Sequence, residues 1–162
     1  MIDLLGQILE LKLNIRPRLM LVDHIRLVEL ARAAQPRQGH DREQLLGLFV
    51  SHGRQRFIYI QEYLPRILMI QVIAHEFTHT WQGENAPFLR DPLLSEGLAE
   101  WAAYHMLQAL GSPKKAMQMR QRRDIYGRGL DYWLQVEKAS GRAAVLTFCR
   151  HPGRAPLSLD EI

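Results

Sequence analysis

The stretch Ala74-His75-Glu76-Phe77-Thr78-His79-Thr80-Trp81 closes the most apolar segment of the chain, and its reading decides the fold. His75 and His79 are four positions apart, so a helix projects both from one face on successive turns, where two imidazole nitrogens can reach one ion. Glu76 then stands about 100° around the helix from His75 and about 60° from His79. That places it near the ion, free to handle a water rather than to ligate. The pattern acquires meaning only with a helix beneath it and a third ligand beside it.

The helix is well supported. Pro65 suits a first turn, where its missing N–H is not needed. From Arg66 to Gln82 apolar residues fall on nearly every side, which is the composition of a buried helix: Ile67, Leu68, Met69, Ile70, Val72, Ile73, Ala74, Phe77 and Trp81. Three ionisable groups in its last turns are expensive to bury without partners, and a metal would supply them. Gly83 is expected at the left-handed position that closes the helix. A second helix starts at Asp91-Pro92, with Asp91 as N-cap, and runs to about Leu110 before Gly111.

Glu96 lies in that second helix, far enough beyond His79 for a turn, a loop and a reversal. It completes a His₂Glu set, which in catalytic zinc centres leaves the fourth position open. The expectation is one zinc ion on His75, His79 and Glu96, with Glu76 as general base. Glu100, one turn on from Glu96, either accepts the free N–H of a ligand histidine or faces solvent. His105 is turned about 180° from Glu96 and is not a candidate ligand.

The composition fits this reading. With 162 residues, 47% hydrophobic and 23% charged, the chain is long enough for one domain with a sizeable core. A single cysteine, Cys149, forms no internal disulfide and points to a cytoplasmic setting; it reads as a small apolar residue of the last helix. An acid at position 3 and no long apolar run argue against a signal peptide or a membrane partner. The net charge of +4 is concentrated in Lys114, Lys115, Arg120, Arg122, Arg123 and Arg128. Without a nucleic-acid-binding motif this reads as a solvated helix face.

Around the central helix, Leu11 to Ile15 alternate as a half-buried strand ended by Pro17, with a short apolar step at Leu19 to Val22. Asp23 caps a helix to about Ala34, and Gln35 to Asp41 is a polar loop. Leu46–Val50 and Arg56–Ile60 form a hairpin with a five-residue connection, Ser51 to Gln55. Its edge strand either holds an extended peptide beside the site or merely covers the helix. Ser112-Pro113 opens a basic helix to about Arg123, and the glycines of Asp124–Gly129 interrupt the chain. Helices from Leu130 to Ser140 and from Ala143 to Arg150 follow, then an extended tail. Tyr126, among those glycines, is either a donor to a developing oxyanion or a packed aromatic.

The flanks carry a resemblance. His-Glu-x-x-His with a downstream Glu-Gly-x-Ala-Glu resembles the Glu-zincins, the metallopeptidase clan of thermolysin-like enzymes and M1-type aminopeptidases. The set Leu46-Gly47-Leu48, Leu64-Pro65-Arg66, His75 through Trp81, Ser95-Glu96-Gly97 and Tyr126-Gly127-Arg128-Gly129-Leu130, with Pro17 to Val22, is similar to the peptidase domain of the plant ubiquitin-activated, LIM-domain organ-size regulators. Thr80, Ser95, Leu130 and Glu100 depart from that family's pattern, and none of them is one of the three candidate ligands. The resemblance implies a zinc-dependent peptidase acting on a protein or peptide substrate, with a ubiquitin-like activating partner.

The expected fold is a small α+β zincin-like metallopeptidase domain, with a few-stranded mixed sheet packed on the central metal-binding helix and a mostly helical second half. Residues 1–64 supply the sheet and first helix, 65–83 the central helix, 91–111 the helix with the third ligand, 112–151 the helical remainder and 152–162 the tail. Two other classes suit the same residues: a non-catalytic interaction module of this architecture, and a nucleic-acid-binding protein using Arg122 and Arg123 beside a structural metal.

Overall fold

The structure, a computed structural model, describes residues 2–34 and 45–151. The loop expected at Gln35 to Asp41 and the tail from Pro152 to Ile162 lie outside the described residues. In chain order the elements are α1 (Ile2–Leu9), β1 (Arg18–Val22), α2 (His24–Ala34), β2 (Gly47–His52), β3 (Gln55–Gln61), α3 (Arg66–Asn85), α4 (Pro92–Ala109), α5 (Pro113–Arg120), α6 (Ile125–Ser140) and α7 (Arg142–Arg150). The class is α+β, with a small mixed sheet and a mainly helical second half.

The sheet has the order β1-β3-β2, with β1 parallel and β2 antiparallel to β3. Alternation along β3 assigns its two faces. Ile58 and Ile60 are fully buried in the core that α3 shares, whereas Tyr59, with Leu48 and Val50 of β2, packs on Leu27 and Ala31 of α2. The 20-residue α3 lies under the first face, and α4 packs against it and against α6. Trp81, Trp101 and Trp133 are the largest fully buried side chains. Trp133 Nε1 donates to the Leu94 carbonyl at 2.8 Å, holding the first turn of α4 onto α6.

Several expectations need correction. Leu11 to Ile15 is not a strand: the Asn14 and Ile15 N–H groups donate to the Glu84 carboxylate at 2.8 and 3.2 Å, so a side chain takes the place of a neighbouring strand. The strand is the apolar step that follows, Arg18–Val22. Ile2–Leu9, to which the sequence reading gave no element, is a helix that buries Leu5 and Leu9 one turn apart. The hairpin connection is two residues, Gly53-Arg54, because both strands run further, and Gly53 adopts φ 57°. Gly83 lies within α3, which continues to Asn85 and closes with the Ala86 N–H on the Gln82 carbonyl.

The last correction concerns α5 and α6. The basic helix ends at Arg120, and the Asp124 side chain accepts from the Tyr126 and Gly127 N–H groups, so α6 begins at Ile125 and carries both glycines inside it. Their small size serves packing rather than a turn. A Cβ on Gly97 would overlap the Gly129 backbone, and one on Gly129 would overlap the Leu93 carbonyl, so α4 and α6 approach at van der Waals distance there. Gly97→Ala should therefore destabilise the fold by about 1–3 kcal/mol, the usual effect of overpacking. Denaturant unfolding checks this, and an unchanged midpoint would contradict the close approach.

Candidate metal centre

His75 and His79 project from consecutive turns of α3, and Glu96 reaches them from the first turns of α4. Asp91, Pro92 and the Asp91 side-chain bond to the Leu94 N–H start α4 in register for this. His75 Nε2 lies 3.0 Å from His79 Nε2, and Glu96 Oε2 lies 3.2 Å from the first and 3.4 Å from the second. The three ligand atoms all fall within 4.8 Å of one another, and this cluster could hold a metal ion.

The outer nitrogens decide whether it fits one. His75 Nδ1 is 3.0 Å from Glu100 Oε1, and His79 Nδ1 is 2.7 Å from Gln82 Oε1. Both partners accept, so each neutral ring carries its proton on Nδ1 and turns an Nε2 lone pair inward. The Gln82 amide is fixed in this sense, since its Nε2 donates to the Ser95 carbonyl at 2.7 Å and its oxygen also accepts from Ser95 Oγ at 3.2 Å. Two lone pairs and a carboxylate oxygen thus face one another, an arrangement that only a positive charge between them relieves. The donor set fits a metal cation held by nitrogen and oxygen.

Without a cation, a proton takes the same point. Burial alone would lower the His75 imidazole, but hydrogen bonds to Glu100 and Glu96 hold it well above its ordinary value. Burial would raise the Glu96 carboxyl, yet bonds from His75 and His79 hold it far below the usual carboxylate range. Proton and metal therefore compete.

The cluster floors a cleft of about 420 Å³ whose opposite wall is β2, through Gly47, Leu48 and Phe49. Gly47 lets that strand close on the site: a Cβ there would stand 2.5 Å from Val72 Cγ1 and 2.8 Å from Glu76 Cγ. Glu76 is buried and lines the cleft. Tyr126 lines it too, its ring centroid 6.2 Å from that of His75, with the Arg122 guanidinium 4.5 Å over the phenol ring. Burial, then the Glu96 charge, pushes the phenol above its ordinary value, so it stays protonated and able to donate.

The structure thus brings together His75, His79, Glu96, Glu76, Tyr126 and Glu100. It adds Gln82 and Ser95, which the sequence reading passed over; the only signal was a Gln three positions after His79, on the same side of the helix. His105 lies elsewhere, its Nε2 2.6 Å from Glu137 Oε2 and its Nδ1 3.1 Å from Arg142. His24 bonds Gln61 at the surface. Burial pushes the Cys149 thiol up, away from nucleophile behaviour. In the basic region Arg120 pairs with Asp131 and Arg122 with Asp124. No helix among the described residues is long and apolar enough to cross a membrane.

Two outcomes follow from this geometry. Glu100→Ala should weaken metal binding about 10–100-fold, the usual effect of losing a ligand's partner, as read by competition with a chelator. The pH dependence should have opposite signs with and without metal. His75 has an ordinary value of 6.5 and a raised folded value, so its contribution to metal-free stability is complete below about 6.5 and is lost as pH rises through the folded value. Metal needs the unprotonated ring, so metal-induced stabilisation grows over that same window. Thermal melts with and without added zinc across that range check the two slopes; parallel slopes would refute the competition.

Compared with models of known protein families, with curated proteins and with solved structures, the chain matches none.

Proposed function

We propose that this chain is a zinc-dependent peptidase of the Glu-zincin kind, hydrolysing peptide bonds in a protein substrate. The observation that carries the reading is the convergence of two histidine Nε2 atoms and a carboxylate oxygen in a cleft that also holds a buried carboxylate, Glu76. A purely structural site has no need of an open cleft or of a further carboxylate beside the three ligands. His75, His79 and Glu96 would hold the zinc, which would lower the pKa of water to about 7 and polarise the scissile carbonyl.

The protein's own groups do the rest. Glu76 accepts the proton of the attacking water and returns it to the departing amine. Gly47, by carrying no side chain, leaves β2 close over Glu76 and limits the water that surrounds it. Tyr126, kept protonated, donates to the oxyanion that develops on the scissile carbonyl. The outer edge of β2 pairs with the peptide's main chain and aligns it along the cleft. The likeness of the motifs to the ubiquitin-activated plant peptidases extends the proposal to a protein substrate and to activation by a ubiquitin-like partner.

Elemental analysis of protein purified without added metal should give about one zinc per chain. Glu76→Gln should keep that zinc and lose about 10²–10⁴-fold in turnover of a peptide library. Tyr126→Phe should lower kcat about 10²-fold with little change in metal content or KM. A Glu76→Gln protein as active as the parent would refute the mechanism, and protein without zinc would refute the function.

A further inference from the structure

Among the described residues, five exposed large hydrophobics gather at the sheet edge opposite the cleft: Leu19, Met20 and Leu21 of β1, Ile25 at the start of α2 and Tyr63 just after β3. Tyr63 is 92% exposed and sits at φ 59°, a left-handed conformation that bulky side chains rarely adopt. Edge strands are ordinarily protected by charge, proline or a covering element. Here, among the described residues, charge and proline stand only at the amino end of β1, at Arg18 and Pro17, and Leu19 to Val22 carry neither.

The main chain is open at the same place. The Glu62 N–H donates to the Val22 carbonyl at 2.9 Å, and Val22 is in register with Gln61, so Val22, Met20 and Arg18 turn their backbone groups toward β3. Leu19 and Leu21 therefore point their N–H and C=O groups outward, where the sheet has no further strand among the described residues.

We propose that β1 is a homodimer seam: two copies of the chain pair β1 with β1, antiparallel, about a twofold axis at Met20. In this register Leu19 of one copy exchanges both main-chain hydrogen bonds with Leu21 of the other, and the reciprocal pair does the same. The sheet becomes six-stranded and continuous. Two features of the edge choose a second copy over a foreign strand. The outward groups are symmetric about Met20, which an isologous contact requires. The charges are also self-complementary: Arg18 stands at the amino end of β1, next to the Arg16–Asp3 ion pair, and Asp23 and Glu62 at its carboxyl end, so antiparallel copies bring each basic end against an acidic one. Pro17, without an N–H, confines the pairing to the strand. The β2 clefts lie at the two outer edges of the joined sheet and remain open.

The test uses the full chain. Sedimentation over a range of concentrations should show a species of twice 18.8 kDa that Leu21→Lys converts to monomer. Met20→Cys tests the register directly and gains a signal. On the axis the two Cα atoms stand about 4.5 Å apart, as in a non-hydrogen-bonded antiparallel pair, and that spacing lies within the range of a disulfide. Mild oxidation should give a covalent dimer, while Ile25→Cys, exposed but off the axis, stays monomeric; Cys149 is buried and does not interfere. A monomer at every concentration overturns the proposal. So does a dimer indifferent to Leu21→Lys, or equal cross-linking at positions 20 and 25. Slow hydrogen exchange of the Leu19 and Leu21 amides in a monomeric protein would also overturn it, by showing that other residues of the same chain cover the edge.

Discussion

Three lone pairs directed at one point between α3 and α4 are the constraint on which the rest of the site depends. With the outer nitrogen of each histidine committed to an acceptor, it takes a cation or a proton placed among the three to relieve them. A helix supplies two of them through its periodicity alone. The third requires a second helix at a fixed distance and a fixed rotation, so the site is a test of packing more than of local sequence.

That packing is set by small residues and indole anchors. Gly97 directly follows Glu96, and its contact with Gly129 lets α4 settle between α3 and α6. The Trp133 indole ties the preceding turn to α6 through the Leu94 carbonyl. Gln82 bridges the other side, bonding both His79 and the Ser95 main chain, so the ring orientation and the placement of α4 are set by one side chain. Gly47 does for β2 what Gly97 does for α4, bringing a backbone over the site where any side chain would collide with Val72 and Glu76.

What the sequence disclosed, it disclosed through periodicity and caps. The His75, His79 and Glu96 spacing, Asp23 and Asp91 as N-caps and the hairpin all express short-range rules, and the structure places them accordingly. The misreadings share one cause, which is that a local signal had two physical meanings. Glycine marks either a positive φ or a close approach. Gly83 reads in the first sense but faces open space inside a helix, while Gly127 and Gly129, which read as an interruption, lie inside α6 and serve close approaches to the Arg122 and Leu93 carbonyls. Alternation at Leu11 to Ile15 marks half-burial, which a carboxylate at position 84 can satisfy as well as a strand can. Gln82 was invisible because a neutral amide on a helix has too many ordinary uses to stand out.

The two histidines are held differently, His75 by the charged Glu100 and His79 by the neutral Gln82. In terms of charge balance this asymmetry sets the total. With a divalent cation between neutral imidazoles, Glu96 and Glu100 contribute two negative charges and cancel it, so the buried assembly is electroneutral and escapes most of the desolvation penalty of a buried ion. A carboxylate in place of Gln82 would leave an excess negative charge. Glu76, buried beside that assembly and outside the ligand set, adds a carboxylate that the balance does not count.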